Sequence, residues 1–250
     1  MTETLRIVTY NIHKGLSFFN RRLVIHEVRE RLHALDADLV FLQEVQGDLA
    51  YPPRRHRNYP RQPQCEFLAA TVWTDFAYGR NAIYDGGHHG NAILSRFPLA
   101  RWDNEDISAH RFEQRGLLHC EIQIIGWNET LHCVCVHLGL LARHRSRQLR
   151  ALRARIEQLV APNAPLIVAG DFNDWSHRAQ REFAQPLGLN EVFEDAHGRS
   201  ARSFPARLPL LPLDRIYVRG FAVRHARVHH GQAWARISDH AALTSTIVRI

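Results

Sequence analysis

Apolar positions along this chain fall into short runs of two periods, separated by Gly, Pro, Asn and Asp. Leu5 to Ile12 alternates apolar and polar residues and is rich in β-branched types, which predicts a strand. Arg21 to Leu35 carries Leu23, Val28, Leu32 and Leu35 at helical spacings and predicts an amphipathic helix. Asp38 to Gln43 is a second buried strand with Glu44 at its end, and residues 64–73 read as a short helix. Gly86 to Gly90 reads as a flexible loop, and Asn91 to Leu99 as a strand, a turn and another strand. Strands are expected around Arg115 to Ile125 and Thr130 to Val136, joined by a hairpin at Gly126 to Glu129, with His137 ending the second. A helix over 143–160 places Leu149, Leu152, Ile156 and Leu159 on one face and most of its arginines on a solvated one. Pro162 and Pro165 stop it. The buried run Leu166-Ile-Val168 then ends in Ala169-Gly-Asp-Phe-Asn-Asp174. A helical stretch near 178–187 and a proline-bearing loop from Ser203 to Pro212 follow. Strands at Leu213 to Val218, Phe221 to Val228 and Ala241 to Val248 close the chain. Many strands with a few helices indicate an α/β domain with mixed sheets.

Composition narrows the class. At 250 residues the chain is expected to be one domain, 1–250, able to bury roughly three quarters of its unfolded surface. Its 45% hydrophobic and 23% charged residues are those of a globular protein. No apolar run exceeds four residues, so no membrane-spanning helix is expected, and no signal-type segment precedes the first strand. Cys65, Cys120, Cys133 and Cys135 lack paired C-x-x-C spacing and read as buried thiols in a reducing, cytoplasmic setting. The formal charge is +7, and Lys14 is the only lysine among 32 basic residues. The charge is mild support for a phosphate-bearing substrate. The Pro/Arg-rich stretch Tyr51 to Pro63 is either a solvated surface loop or a basic lip for a polyanion. His88 and His89 could bind a metal, although adjacent histidines are unremarkable in a chain with 17 of them.

One pattern recurs. Asn11, Glu44, His137, Asp171 with Asn173, and Asp239 with His240 all stand where apolar strands end or begin, and Asp214 lies inside a strand-like run. On an extended backbone Asp171 and Asn173 face one way and Phe172 the other. Each of these residues alone fits a turn or an ion pair, but acidic groups in apolar segments are costly unless paired or metal-bound. The chain has no nucleophile elbow and no G-x-x-x-x-G-K-[ST] loop, which argues against acyl-enzyme and nucleotide-driven chemistry. The oxygen donors suit a hard divalent ion, Mg²⁺ or Mn²⁺.

Tyr10-Asn11, Leu42-Gln43-Glu44, Asn91-Ala-Ile-Leu-Ser-Arg96, Val136-His137, Gly170-Asp-Phe-Asn173, Leu213-Asp214 and Ser238-Asp-His240 stand in the order seen in the endonuclease/exonuclease/phosphatase superfamily. The resemblance spans nearly the whole chain. It implies a four-layer α/β sandwich, two packed mixed β-sheets with helices outside and the site at one end. Glu44 resembles the metal-binding glutamate, with Asn11 and Asp239 near the ion. Asp171 resembles the residue that orients or deprotonates the attacking water, and Asn173 the contact to the scissile phosphate. His240 paired with Asp214 resembles the catalytic histidine, and His137 matches a second histidine on the phosphate. Arg115 is either a further phosphate contact or a surface arginine. Asn11-Ile-His-Lys-Gly15 and Gln43-Glu-Val45 are similar to the small bacterial hydrolases of this superfamily. The implied activity is metal-dependent hydrolysis of a phosphodiester or phosphomonoester, on a small-molecule, lipid-headgroup or inositol-type phosphate. A DNA or RNA nuclease is the alternative, and a non-catalytic phosphate-binding module a more distant one.

Overall fold

The computed structural model describes residues 3–17, 20–50, 58–110 and 113–250. Two six-stranded sheets form it. The first has the order β11-β12-β1-β2-β4-β3, from β1 (Thr4–Asn11), β2 (Leu39–Leu49), β3 (Asp75–Tyr84), β4 (Gly87–Ser95), β11 (Phe221–His229) and β12 (Ala242–Arg249). The second has the order β5-β6-β7-β8-β10-β9, from β5 (Leu99–Asp106), β6 (Gly116–Ile122), β7 (Leu131–His137), β8 (Leu166–Asp171), β9 (Asn190–Glu191) and β10 (Asp214–Arg219).

Each sheet has one parallel pair at its centre, β1 with β2 and β7 with β8, and every other pairing is antiparallel. Parallel neighbours need a crossover, and a helix supplies it in both cases. The helix α1 (Ile25–Leu35) joins β1 to β2, and α3 (Ala142–Leu159) joins β7 to β8. Strand alternation then sorts the side chains. Leu5, Ile7 and Phe41 of the first sheet meet Cys133, Cys135, Ile167 and Ile216 of the second in a core between the sheets. Val8, Tyr10, Val40 and Leu42 face the other way, onto Val28 and Leu32 of α1 and Leu68 of α2 (Gln64–Ala69). Val134, Val136, Val168 and Tyr217 likewise face Leu149, Leu152 and Ile156 of α3. The result is the helix–sheet–sheet–helix sandwich that the resemblance implies.

Three expectations need correction. Gly86 to Gly90 is not a flexible loop: Gly87–Ser95 is one strand, paired along its length with β3. Alternation is masked there because both faces are half-buried. Strand β2 does not end at Glu44 but runs on to Leu49. Finally, α3 does not solvate all its arginines. Arg145 is buried, and its guanidinium donates to the carbonyls of Gly139 and Leu140 at 3.1 and 2.8 Å. It stands 3.8 Å from the buried Asp174 and covers the Trp175 ring at 4.8 Å. It thus ties the start of α3 to the segment that follows Asp171. Arg145→Met would leave the Gly139 and Leu140 carbonyls without this donor and take the counter-charge from the buried Asp174, which keeps its hydrogen bonds from Ser176 and Ala179. It is expected to lower stability by about 3 kcal/mol, read as a fall in the urea midpoint at unchanged slope. Of the Pro/Arg-rich stretch Tyr51 to Pro63, residues 51–57 lie outside the described residues.

Candidate active site

The side chains that face the inter-sheet core stay apolar until the carboxyl ends of the parallel strands, where they turn polar together. On β1 the inward series Leu5, Ile7, Thr9 ends in Asn11, and on β7 the series Cys133, Cys135 ends in His137. On β8 it is Ile167, Ala169 and then Asp171, while Phe172 turns outward onto the helix-side core. Strand β10 begins at Asp214 and continues inward with Ile216 and Val218. Register sets these ends side by side: His137 pairs with Asp171 across β7 and β8, and Asp214 pairs with Asp171 across β10 and β8. Gly170 makes the close pairing possible, since a Cβ there would sit 2.0 Å from the Val136 carbonyl oxygen, at a φ of +151°.

Asp171 is the hub. Its carboxylate is 1% exposed and accepts from the Asn11 side-chain amide at 3.2 Å and from the Asn173 backbone N–H at 3.0 Å. His137 Nε2 and His240 Nε2 stand 3.5 and 3.7 Å from its Oδ2. The other ring nitrogen of His240, Nδ1, is 2.8 Å from Asp214 Oδ2. Asn173 sits at φ +48°, with its side-chain amide donating to the Leu138 carbonyl at 2.9 Å. Burial raises the proton affinity of Asp171, and the Asp214 charge adds to it against the opposing His240. Burial works against a charge on His240, but the Asp214 and Asp171 carboxylates outweigh it and hold the ring protonated. His137 goes the other way: burial, then the Arg115 charge, keep it neutral. One carboxylate thus lies between a cationic and a neutral imidazole.

Glu44 reaches this end of the molecule by a local irregularity. Leu42 pairs with Ala92 and Val45 with Gly90, so Gln43 and Glu44 stand against Asn91 alone, a β-bulge. Val40, Leu42 and Val45 all pack against the helices, and the extra residue frees Glu44, at φ +55°, from that face. Such backbone outliers in non-glycine residues collect at functional sites. His13 and Lys14 are two more, at +46° and +59°. Lys14 Nζ lies 3.1 Å from Glu44 Oε2, and His13 Nδ1 lies 3.5 Å from Asp239 Oδ1. The His13 N–H donates to Asn11 Oδ1 at 3.1 Å. Glu44, Asn11 and Asp239 are therefore tied to one turn, although Glu44 and Asp239 stand outside the tight set Asp171, Asp214 and His240, whose donor atoms lie within 4.8 Å of one another. Burial opposes the charge on Glu44, but the basic side chains facing it, His137, Lys14 and His13, favour that charge and lower its pKa.

The donors at this turn fit a hard divalent ion. Glu44 Oε2 is buried and faces the Lys14 ammonium at 3.1 Å, so the position already gathers positive charge. The remaining groups are oxygens of Asn11 and Asp239. Asp171, Asp214 and His240, whose donor atoms lie within 4.8 Å of one another, are a second group that could hold an ion at this end.

Glu44, His89, Asn91, Arg115 and His137 line a small cavity of about 10 Å³. The Arg115 guanidinium donates to the Leu138 carbonyl at 3.2 Å and stands 3.7 Å from Glu113. Asn91, quoted in the sequence motif without a role, donates to the carbonyls of Gly116 and Cys135 and so bolts β4 to the second sheet. Sequence reasoning also gave no role to His13 or Lys14, and weighed His89 only as a metal ligand with His88. The two adjacent basic residues ahead of Gly15 were the available signal for the first two.

A family model described as the Endonuclease/Exonuclease/phosphatase family matches residues 8–240. The uncharacterized protein YbhP of Escherichia coli K12 is 44% identical, over 98% of this chain and 96% of that protein. Among solved structures, a D. rerio TDP2 complexed with single strand DNA product superposes with a TM-score of 0.72 at 19% identity, covering 98% of each chain. The Bacteroides thetaiotaomicron mannosyl-6-phosphatase superposes at 0.73 with 16% identity, covering 98% of this chain and 99% of that one. At those identities the structural likeness speaks to the fold alone.

Proposed function

Because the chain belongs to the endonuclease/exonuclease/phosphatase family, whose members hydrolyse phosphate esters, we propose that it is a metal-dependent phosphoesterase in which Asp171 activates water for in-line attack on phosphorus. The observation that carries this reading is the buried Asp171 carboxylate, set between His137 and His240 with Asp214 behind the latter. Asp171 accepts the proton of the attacking water as its oxygen bonds to phosphorus, and the ester oxygen leaves from the opposite side and is protonated to the alcohol. His240, a cation, and the Asn173 amide donate to the phosphoryl oxygens as they gain charge, and neutral His137 holds a further oxygen through Nε2–H. Arg115 lies at the cavity wall beside His137, within reach of the same phosphate. A divalent ion, Mg²⁺ or Mn²⁺, held by Glu44 with Asn11 and Asp239, supplies charge neutralisation at the phosphoryl and leaving oxygens. The preferred ester is a small-molecule, lipid-headgroup or inositol-type phosphate. The support for this over a nuclease is His137 and the absence of a lysine after Glu44. A panel of plain and abasic DNA, RNA, phospholipid headgroups and inositol phosphates, each with an EDTA control, tests it. Cleavage of nucleic acid alone would reverse the choice.

The His240–Asp214 pair makes a pH prediction. Asp214 raises the proton affinity of His240 and of Asp171. In Asp214→Asn both fall, so His240 loses its proton at lower pH and Asp171 stays ionised to lower pH. Both limbs of the pH–rate profile are expected to move acidward, by roughly 1–3 pH units, with a lower maximum. A profile that kept its limbs in place would show that Asp214 does not act through these two groups.

A further inference from the structure

At the far end of the second sheet, the face that packs on α3 departs from its apolar pattern. Leu117, Val134 and Val136 hold to it, but His119 and Glu121 of β6 and His132 of β7 stand on the same face. Strand geometry puts them together: His119 and Glu121 are two residues apart, and Glu121 is directly opposite His132. His119 Nε2 and His132 Nδ1 are 3.0 Å apart, with their rings within 9° of parallel. One donor atom from each of the three side chains lies within 4.8 Å of the others. Both histidines are buried, and Glu121 is half-buried. His132 precedes His137 by five positions on one strand, so the cluster lies about 17 Å from the catalytic end.

A single shared proton explains the short contact between the rings, with the Glu121 charge favouring it on His132. A metal ion explains all three side chains as well. Two nitrogens bound to one tetrahedral Zn²⁺ lie about 3.3 Å apart, so the pair would open by a few tenths of an ångström while the rings turn both lone pairs toward the ion. Burial disfavours the charge on both rings, against the Glu121 carboxylate in the case of His132. Of the cations whose charge reaches the cluster, Arg155 of α3 is engaged by Asp103 and Glu105 of β5 at 2.6 and 2.8 Å, and Arg219 of β10 is turned onto backbone carbonyls.

We propose that His119, Glu121 and His132 form a second metal site, which takes a transition ion of the Zn²⁺ class rather than the hard ion expected at Glu44. Two imidazoles and one carboxylate are a borderline donor set that leaves one position open to water. The bound ion clamps β6 to β7 beneath the end of α3. The test is titration of Zn²⁺ alone into the Glu44→Gln chain, which removes the proposed hard-ion ligand and separates the two sites. The expected result is one tightly bound equivalent, with a rise in melting temperature of roughly 5–10 °C at a hundredfold excess over Kd. Co²⁺ in its place should give the visible absorption of a tetrahedral ion. His119→Gln in that background should weaken binding by more than about tenfold. Glu121→Gln keeps the side-chain size and partial exposure, so it reports even if His119→Gln misfolds, and should also weaken binding. In the chain with Glu44 intact, Glu121→Gln should leave phosphoester hydrolysis in Mg²⁺ unchanged. No Zn²⁺ bound by the Glu44→Gln chain, or undiminished affinity in Glu121→Gln, would overturn the proposal whether or not the phosphoesterase reading holds.

Discussion

Asp171→Asn is expected to lower kcat for phosphoester hydrolysis by roughly 10³–10⁴, an increase of about 4–5.5 kcal/mol in the barrier, while the chain stays folded. The substitution is nearly isosteric and keeps one acceptor oxygen for the Asn173 N–H. What it removes is the charge and the basicity. The carboxylate sits at 1% exposure, with an amide donor on one side and imidazoles on two others, so no solvent group can stand in for it. It also removes one of the two carboxylates that hold the proton on His240. Two functions are therefore lost through one atom. Binding of a product phosphate should change far less than turnover, because phosphate contacts from His137, Asn173 and Arg115 survive. The measurement is kcat and KM on a bis-aryl phosphodiester, with circular dichroism confirming the fold. A loss confined to KM would place Asp171 in binding rather than in proton transfer.

Glu44→Gln should have an effect of similar size by a different route. Glu44 is the carboxylate whose buried oxygen faces the Lys14 ammonium at 3.1 Å, which shows that the position draws positive charge. With glutamine there, Lys14 loses its counter-charge and the turn His13–Lys14 loses its anchor. Activity in the parent chain should disappear on EDTA treatment and return with Mg²⁺ or Mn²⁺. In Glu44→Gln the half-saturating metal concentration should rise by at least about a hundredfold, and activity at low metal should fall correspondingly. An unaltered metal titration curve would remove Glu44 from the ion and leave it as a partner of Lys14 only.

The strand-end residues were legible in the sequence because one rule governs them. A β-strand alternates, so an inward-facing apolar series announces where its last member points. Asn11, His137 and Asp171 follow from that rule without further information, and Phe172 is turned outward as it requires. Glu44 obeys no such rule. Strict alternation would send it toward α1 with Val40 and Leu42, and only the extra residue of the bulge redirects it. A bulge depends on the partner strand, here on Asn91 and Gly90, and a pairing such as Val45 with Gly90, 45 residues apart, leaves no local mark. Arg145 was missed for a related reason. Helical periodicity separates an apolar face from a polar one, but the buried Asp174 that an arginine can meet belongs to a loop 29 residues away. The Gly86 to Gly90 segment read as a loop because glycine density signals turns, and Gly86 is in one, yet from Gly87 onward its backbone pairs with β3. Its half-buried faces gave no alternation to offset that signal.

The sandwich explains why so dispersed a set converges. Each βαβ unit returns its second strand parallel to the first, so the carboxyl ends of β1 and β2 lie together, as do those of β7 and β8. Packing the two sheets face to face then brings the two pairs of ends against each other. The link is made by Asn11 with Asp171, and by His240 with Asp214, each bond crossing from one sheet's chain segments to the other's.

The decisive measurement is release of the aryl alcohol from a bis-aryl phosphodiester or an aryl phosphomonoester in Mg²⁺ or Mn²⁺, for the parent chain, Asp171→Asn and His240→Ala side by side. The expected result is turnover by the parent that EDTA stops and metal restores, with both variants folded and inactive. No turnover by the parent on any phosphoester with any divalent ion, or full activity in both variants, would contradict a hydrolytic site built on Asp171.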